Sequence, residues 1–421
     1  MAQLAVSGGP RLRQDPFPSW PQWGDADKEA LTATLDSGHW GGYPPPSPRA
    51  AQFEQEFAAY HDSAHAVTLA SGTDALMVAL RGAGIGPGDE VIVPALTFIA
   101  SASAILLVGA TPVFVDVDPT TYCIKTTGSG GIEAATTNRT RGILPVHLGS
   151  RMANMSWIDD FADRKDLLVV EDCAHMHGGA WDGKGIGSSS TCAAFSFQAS
   201  KLLTAGEGGA ISTNDAELAE KARYFINSGR LGPMDPIRRQ ALGWSMRLTE
   251  FQAALLHSQF VRMVEEQAPV RERNKARLHS RLGDLAGVEV LRIDARETRR
   301  SGYAYIFKYL EDQHEGVSLS LFTKALRAEG IPCSGSMYQP VYKNPLFPLS
   351  EAGVPLFQDH LEGTVDYREV LCPESERAAY HENVWIPHEV FLGSLKDTDD
   401  IADAIEKVIN NLDELRGGSA K

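Results

Sequence analysis

Three features that would mark other classes of protein are scarce in this sequence of 421 residues. The first is cysteine: there are five, far apart and never in a CxxC pair, namely Cys123, Cys173, Cys192, Cys333 and Cys372. Such spacing is typical of thiols that stay reduced, and it argues against a disulfide framework or a zinc site. We therefore expect no metal, and a reducing compartment such as the cytoplasm.

Positive charge is scarce as well. The chain has 39 lysines and arginines against 54 aspartates and glutamates, which gives a formal net charge of −15 at pH 7. No cluster of Lys and Arg is dense enough to offset that charge. We therefore expect neither nucleic acid nor an acidic membrane surface as a partner.

Long apolar runs are missing too. The longest, near residues 104–110, is far too short to span a bilayer, and the first residues lack the apolar segment of a secretory signal. The sequence therefore predicts a soluble protein that is not exported and has no membrane partner.

Short apolar strands alternate with helices from residue 50 onward. Strands are predicted at 65–70, 90–93, 112–116, 142–147, 167–171, 191–197 and 210–213, with helices at 50–60, 73–81, 101–107, 156–164 and 215–228. Runs rich in Val and Ile that alternate with helical stretches favour a mostly parallel sheet covered on both faces. The predicted fold class is α/β.

Changes in proline content and in predicted secondary structure divide the chain into three parts. Residues 1–49 form a predicted N-terminal arm, because the proline-rich segments 16–21 and 41–49 cannot be regular helix. Residues 50–286 form a large domain that ends with a long predicted helix over 247–285. Residues 287–421 form a smaller α+β domain, with predicted strands at 288–292 and 304–310, helices at 318–328 and 398–415, and an irregular stretch at 332–363.

The stretch ASGTDALMVAL, residues 70–80, places a turn between a strand and a helix. Free backbone N–H groups and the positive end of the helix meet at Gly72 and Thr73, where an anion such as phosphate could bind. The alternative is an ordinary capped helix with Ser71 or Thr73 as the N-cap, and this stretch alone does not exclude it.

The stretch VVEDCAHMHGG, residues 169–179, carries an apolar strand into Asp172. A carboxylate at that strand end could hold a proton on the ring nitrogen of a cofactor, or it could be a satisfied strand-end residue. His175 is assigned to ring packing or to the substrate side of a site. His177 is assigned to structure, since two histidines at i and i+2 without a third ligand are weak evidence for a metal.

The stretch SFQASKLLTAGEGGAIST, residues 196–213, places Lys201 in the turn after the next strand. Surface lysines are common, but a desolvated lysine has a lowered pKa and can form a Schiff base. Ser196 could join a phosphate site. A phosphate cradle, a strand-end carboxylate and a lysine in this chain order together predict one site for pyridoxal 5′-phosphate.

The stretches SGTDAL, PALTFIAS, EDCAH, SFQASKLLTAGEGG and WSMRLTEFQAAL resemble, in this order, the DegT/DnrJ/EryC1/StrS family of pyridoxal-phosphate aminotransferases. The likeness runs from about Trp20 to the last helix. It implies the fold of type I aspartate aminotransferase and a homodimer with active sites at the subunit interface. It also implies roles for individual residues: Lys201 as the Schiff-base lysine, Asp172 as the partner of the pyridine nitrogen, Phe98 stacked on the ring, and Gly72, Thr73 and Ser196 at the phosphate.

One position departs from the family pattern. Close relatives have asparagine in a GxNxR segment that reaches the neighbouring subunit's phosphate, and this chain has Ser245 there. Serine can donate a hydrogen bond but is shorter, so the strength of the contact is in question. The presence of Lys201 separates the chain from members that have histidine instead and catalyse dehydration, and it therefore favours transamination.

The acceptor is inferred from a further resemblance. The segments 336–347 and 383–394 are similar to a subgroup that includes glutamine:scyllo-inosose aminotransferases and 3-amino-5-hydroxybenzoate synthase. This implies ping-pong transfer from glutamine or glutamate to a keto-cyclitol or keto sugar. Alternatives are an aromatising synthase or dehydratase and a nucleotide-sugar aminotransferase. Polar residues that could contact the ring, or equally lie in an interface, are His147, Arg247, Tyr338, Gln339 and Tyr342.

Overall fold

A computed structural model describes residues 3–42, 46–230, 241–314, 316–347 and 365–416. Parts of the predicted arm (43–45) and of the predicted irregular stretch (348–363) lie outside the described residues. The strands are β1 (His65–Leu69), β2 (Glu90–Pro94), β3 (Thr111–Val115), β4 (Thr140–Ile143), β5 (Leu168–Asp172), β6 (Ala180–Trp181), β7 (Lys184–Gly185), β8 (Cys192–Ser196), β9 (Gly209–Thr213), β10 (Val288–Val290), β11 (Glu297–Arg299), β12 (Ala304–Tyr309), β13 (Ser334–Gly335) and β14 (Asn383–Pro387).

Helices surround these strands. They are α1 (Asp25–Ser37), α2 (Pro48–Tyr60), α3 (Gly72–Gly82), α4 (Ala100–Leu107), α5 (Ile132–Ala135), α6 (Met155–Lys165), α7 (Ala216–Ile226), α8 (Glu250–Arg262), α9 (Ala268–Leu282), α10 (Leu319–Ala328), α11 (Pro373–Arg377), α12 (Leu395–Ile409) and α13 (Asp413–Arg416). None of the helices in the described residues is both long enough and apolar enough to cross a membrane.

A seven-stranded sheet in the order β1-β9-β8-β5-β4-β2-β3 lies at the centre of the larger part. The pairs β2/β3, β2/β4, β4/β5 and β5/β8 are parallel, and β9 runs antiparallel to both of its neighbours. All residues of β2, β8 and β9 are buried, which explains why these strands read as continuous apolar runs. The predicted α/β class with a mostly parallel sheet is confirmed.

The turns that follow β1, β5 and β8 all lie at one edge of the sheet. Since β5 and β8 are parallel, Asp172 and Ser196 end at the same side of the sheet. Strand β1 is antiparallel to β9, which is antiparallel to β8, so β1 also ends there and leads into α3. Backbones pack tightly at this edge: a Cβ on Gly209 would lie 2.3 Å from the carbonyl oxygen of Ser71. Only glycine fits such an approach.

The smaller part is built on an antiparallel sheet in the order β10-β12-β14-β13. Its apolar core contains Phe307, Phe322 and Ile405, and also Leu278 from α9 and Leu4 from the N-terminal segment. The core of the smaller part thus includes residues from the predicted arm and from the end of the predicted large domain as well as residues after 287. A further three-stranded sheet, β11-β6-β7, was not predicted; it joins residues 297–299 to residues 180–185.

The predicted arm contains a helix that sequence analysis missed. Helix α1 lies between the proline-rich segments and packs on α8, where Asp27 pairs with Arg262 at 2.7 Å and accepts a hydrogen bond from Gln259 at 3.0 Å. Few of its thirteen residues are apolar or buried. A helix held mainly by polar contacts leaves little periodicity in a sequence.

Two predicted elements have different boundaries in the structure. The single helix over 247–285 is α8 and α9 joined by a π-helical segment, Met263–Gln267. Pro269 follows that segment, and its missing N–H and its ring disfavour a regular helical turn before it. The strand predicted at 142–147 ends at Ile143, because Pro145 cannot donate a ladder hydrogen bond.

Glu329 ties the N-terminal segment to the smaller domain, and its loss should be costly. Its carboxylate is fully buried and accepts hydrogen bonds from the N–H groups of Ala5 (2.9 Å) and Leu12 (3.0 Å), and it pairs with Lys407 at 2.8 Å. Glu329→Ala should lower the free energy of unfolding by about 3 kcal/mol, since it leaves two N–H groups unpaired and removes the carboxylate partner of the half-buried Lys407.

Urea denaturation of the two variants checks this expectation. Glu414→Ala is the matched control, since Glu414 also accepts from this segment, at Leu4 N–H (3.1 Å), but is only half-buried. It should cost less than about 1 kcal/mol. Equal losses in both variants would contradict the role assigned to Glu329.

Candidate active site

A cavity of about 370 Å³ lies at the sheet edge where β1, β5 and β8 end. Among the residues that line it are members of all three predicted motifs. These are Ser71, Gly72, Thr73, Asp172, His175, Ser196 and Lys201, and Phe98 of the stretch PALTFIAS lines the cavity as well. The structure therefore brings together the residues that sequence analysis assigned to one cofactor site.

Asp172 is held in a fixed orientation at the end of β5. The residue is buried, one carboxylate oxygen accepts from the Ser101 hydroxyl at 2.8 Å, and the other accepts from the N–H of Ala174 at 3.1 Å. Ser101 in turn contacts the Thr97 hydroxyl at 2.9 Å. Both oxygens are thus oriented, and the carboxylate presents a negative charge to the cavity wall.

Lys201 places its amine in the same cavity. Burial lowers its pKa to about 8, while the nearby carboxylate of Asp172 acts in the opposite direction. Within the described residues, this amine makes no hydrogen bond or ion pair; its Nζ lies 4.4 Å from the ring centroid of Tyr303. A lysine with such a pKa is partly unprotonated near neutral pH and can act as a nucleophile or a base.

The N-terminus of α3 forms a concave wall opposite β8. The Ser71 hydroxyl caps the helix by accepting from the N–H of Asp74 at 3.1 Å, which leaves earlier N–H groups of the first turn free. A Cβ on Gly72 would lie 2.5 Å from the Cβ of Ser196. Glycine is therefore required for the helix end to approach β8, and the cradle suits an anion such as phosphate.

His175 is enclosed between the two parts of the chain. Its Nδ1 accepts from the N–H of Gly149 and its Nε2 contacts the Tyr338 hydroxyl, each at 3.3 Å. The ring stacks on Tyr303 at 4.1 Å, with 16° between the planes. Burial, with the nearby charge of Lys201, holds the pKa of His175 well below its usual value, so the imidazole is neutral. His177 instead contacts the carbonyl oxygen of Ser196 at 2.8 Å, as a structural residue would.

Tyr303 is a cavity residue that sequence analysis missed. It precedes β12 in the smaller domain, and its hydroxyl contacts the hydroxyl of Ser200 at 3.0 Å. An aromatic residue before a strand normally indicates core. No signal in the sequence relates it to the motifs, because it reaches the cavity only when the smaller domain folds over the sheet edge.

The structure does not bring all predicted substrate residues to this cavity. Tyr338 lines it, whereas the other four do not. His147 is fully buried against Glu171 at 2.8 Å. The Tyr342 hydroxyl donates to Glu376 at 2.5 Å, and its ring packs on Phe114 of β3. These placements differ from the predicted substrate contacts of His147 and Tyr342, since neither side chain lines the cavity of the single chain.

Three further predicted residues lie outside the cavity lining of a single chain. Arg247 donates to the side-chain carbonyl of Asn227 at 3.0 Å, while Ser245 and Gln339 are exposed. Ser245 was predicted for a neighbouring subunit, and its exposure leaves it free to make such a contact. Phe98 lines the cavity and has 55% of its surface exposed, so it is not part of the apolar core.

A buried group of potential metal ligands lies behind Asp172. Atoms of His147, Glu171 and Cys173 lie within 4.8 Å of one another. The His147 Nδ1 accepts from the N–H of Ala153 at 3.1 Å, so its Nε2 carries the proton that Glu171 accepts. Burial also raises the pKa of Cys173 well above its usual value. Both ring nitrogens of His147 are thus engaged and the thiol is protonated, while the second carboxylate oxygen of Glu171, Oε1, has no hydrogen-bond partner among the described residues.

Residues 21–406 match the family model described as the DegT/DnrJ/EryC1/StrS aminotransferase family. The chain belongs to this family. The L-glutamine:2-deoxy-scyllo-inosose aminotransferase of Streptomyces fradiae is 39% identical over 98% of this chain and 98% of its own. A Streptoalloteichus tenebrarius protein provisionally named L-glutamine:3-amino-2,3-dideoxy-scyllo-inosose aminotransferase is 37% identical over 99% of this chain and 100% of its own.

Solved structures in this family share the fold. The crystal structure of 3-amino-5-hydroxybenzoic acid synthase matches with a TM-score of 0.81 and 33% sequence identity, over 94% of this chain and 100% of that one. The predicted likeness to both groups of enzymes is thus confirmed at the level of sequence and fold.

The two glycines at the ends of α3 should respond oppositely to alanine. Gly72→Ala should lower the free energy of unfolding by about 1–3 kcal/mol, because its Cβ would overlap Ser196. Gly82→Ala is the matched control: its Cβ would lie 3.4 Å from Leu218, an ordinary contact, and the change should be neutral or stabilise by up to about 1 kcal/mol. Urea denaturation measures the free energy of unfolding of both variants. No loss in Gly72→Ala would contradict the close approach of α3 to β8 at this glycine.

Proposed function

We propose that this chain is an aminotransferase that uses pyridoxal 5′-phosphate in the cavity described above. The observation that carries the proposal is the juxtaposition of a buried amine of lowered pKa, Lys201, with the oriented carboxylate of Asp172. The residues present fit the cofactor, because the Gly72 cradle suits its phosphate and the carboxylate suits a protonated ring nitrogen. When bound, pyridoxal phosphate supplies an electron sink for cleavage of a bond to the amino-bearing carbon.

Each cavity residue has a role in this proposal. Lys201 would hold the cofactor covalently, and its amine would be the group that moves the proton to and from the carbon that carries the amino group. Asp172 keeps the ring nitrogen charged. Gly72, Thr73 and Ser196 hold the phosphate, Phe98 covers one face of the ring, and His175 packs beside it as a neutral group.

The amino donor is glutamine or glutamate, and the acceptor is a keto-cyclitol. The donor gives up its amino group and becomes a 2-oxo acid, and the acceptor's carbonyl becomes an amine, so no outside oxidant or reductant is needed. Support comes from the names of relatives similar over their full length, which specify glutamine and scyllo-inosose derivatives. Uncharged polar groups at the cavity, such as those of Tyr338 and Gln198, suit a hydroxylated ring.

We further propose a cytoplasmic homodimer. Ser245 is exposed on one chain and would reach the phosphate held by the neighbouring subunit, as the family pattern implies. Two exposed apolar side chains are suited to burial in such an interface: Trp244, which precedes Ser245, and Phe98 at the cavity. The reduced cysteines and the absence of a membrane-spanning helix among the described residues are consistent with the cytoplasm.

The decisive experiment separates the two half-reactions. Protein loaded with pyridoxal phosphate should change its visible absorbance when glutamine is added, and adding scyllo-inosose or 2-deoxy-scyllo-inosose should restore it. Glutamate in parallel identifies the donor. A change without restoration would move the acceptor to a nucleotide-linked keto sugar, and formation of an aromatic product would favour the synthase activity named for the 33%-identical structure.

Replacing Lys201 should abolish turnover without unfolding the chain. Lys201→Ala should lower kcat by at least about a thousandfold, because both the covalent attachment and the proton transfer are lost. Lys184→Ala, which changes an exposed lysine of β7, is the control and should leave kcat unchanged. Near wild-type turnover in Lys201→Ala, measured by product formation, would refute the assignment.

A further inference from the structure

We propose that Tyr303 is a positioning residue that holds the amine of Lys201 in the cavity through the face of its aromatic ring. The consequence for catalysis rests on the proposed function, since the held amine is the one that would bind the cofactor and transfer the proton. The contact between the amine and the ring involves only residues of this chain and does not depend on the cofactor. Nothing in the motifs or in the family match assigns a role to this tyrosine.

The amine of Lys201 lies over the ring of Tyr303. The Nζ of Lys201 lies 4.4 Å from the ring centroid, well within the range of a cation–π contact. Among the residues that the structure describes, no carboxylate lies within ion-pair distance of Nζ and no acceptor bonds to it. Burial disfavours this ammonium, and no direct hydrogen bond or ion pair offsets that cost.

Tyr303 is itself fixed from three directions. Its N–H donates to the carbonyl oxygen of Gly149 at 2.8 Å, its hydroxyl contacts the Ser200 hydroxyl at 3.0 Å, and its ring stacks on His175 at 4.1 Å. Two of these partners flank the site directly: Ser200 precedes Lys201, and His175 follows β5. A ring held in this way provides a fixed surface for a long side chain that has several rotatable bonds.

Other charged and titratable groups also act on the amine. The carboxylate of Asp172 favours the ammonium, and Glu207 lines the same cavity with an exposed carboxylate. His175 and His177 have pKa values far below neutrality, so they carry no charge that could repel it. Tyr338 is protonated, because burial raises its pKa. Loss of the Tyr303 ring would therefore remove its attraction for the ammonium and leave the attraction of the two carboxylates unchanged.

The direction of the effect follows from the charge of the two forms of lysine. An aromatic face attracts an ammonium but not a neutral amine, so the ring raises the pKa of Lys201 while burial lowers it. Removing the ring and keeping the cavity apolar should therefore lower that pKa further, by about 0.5 to 1.5 units.

The test measures the pKa of Lys201 in the full-length chain freed of cofactor. The rate of Lys201 acylation by acetic anhydride is followed against pH by peptide mapping, with Lys184 as the internal reference. Tyr303→Phe, which keeps the ring, should retain the wild-type pKa, whereas Tyr303→Leu should lower it by about 0.5 to 1.5 units. Tyr338→Leu opens the same cavity without touching the amine's ring partner, and it should cause no fall.

A second series preserves the shape of the site, so that misfolding cannot explain the result. Position 303 is filled with phenylalanine, 4-fluorophenylalanine and 3,4,5-trifluorophenylalanine, which weaken the negative charge of the ring face in steps. The pKa of Lys201 should fall stepwise along the series. A flat series, or equal shifts in Tyr303→Phe and Tyr303→Leu, would overturn the proposal.

The readout separates this proposal from the function on which it rests. If the pKa of Lys201 is insensitive to the ring while wild-type protein completes both half-reactions, only the role of Tyr303 fails. If the pKa falls as expected while wild-type protein transfers no amino group, the ring contact stands and the proposed function fails.

Discussion

The parallel pairing of β5 with β8 is the constraint on which the site depends. Both strands therefore end at the same edge of the sheet. The carboxylate of Asp172 and the turn that carries Lys201 lie close together for that reason. The approach of α3 to this edge adds the third component. That approach is possible only because Gly72 and Gly209 have no Cβ to separate the backbones.

Desolvation then gives the lysine its chemistry. In water an amine of ordinary pKa is almost fully protonated at pH 7 and is a poor nucleophile. At the sheet edge, Tyr303 and Tyr338 of the smaller part contact His175. The larger part thus carries Lys201 and Asp172, and aromatic residues of the smaller part shield them in part from water.

Local patterns predicted the sheet, the helices that follow its strands and the residues at its edge, because those features depend on sequence neighbours. Tyr303 could not be found, since its position depends on how two domains meet. His147 was named among the polar residues that could contact a hydroxylated ring or equally lie in an interface. The structure shows its imidazole satisfied by Ala153 and Glu171 instead. Helix α1 was missed because polar contacts, which leave no periodicity, hold it on α8.

The N-terminal segment has a consequence for how the chain is made. Leu4 packs in the core of the smaller domain, and its N–H donates to Glu414, which lies 410 residues away. Residues near Leu4 thus complete a core whose other parts, up to Leu415, are synthesised much later. The sheet of the larger part can form during synthesis, whereas the core of the smaller part must wait until α12 and α13 have been made. The cavity, which needs both, is therefore among the last features of the molecule to form.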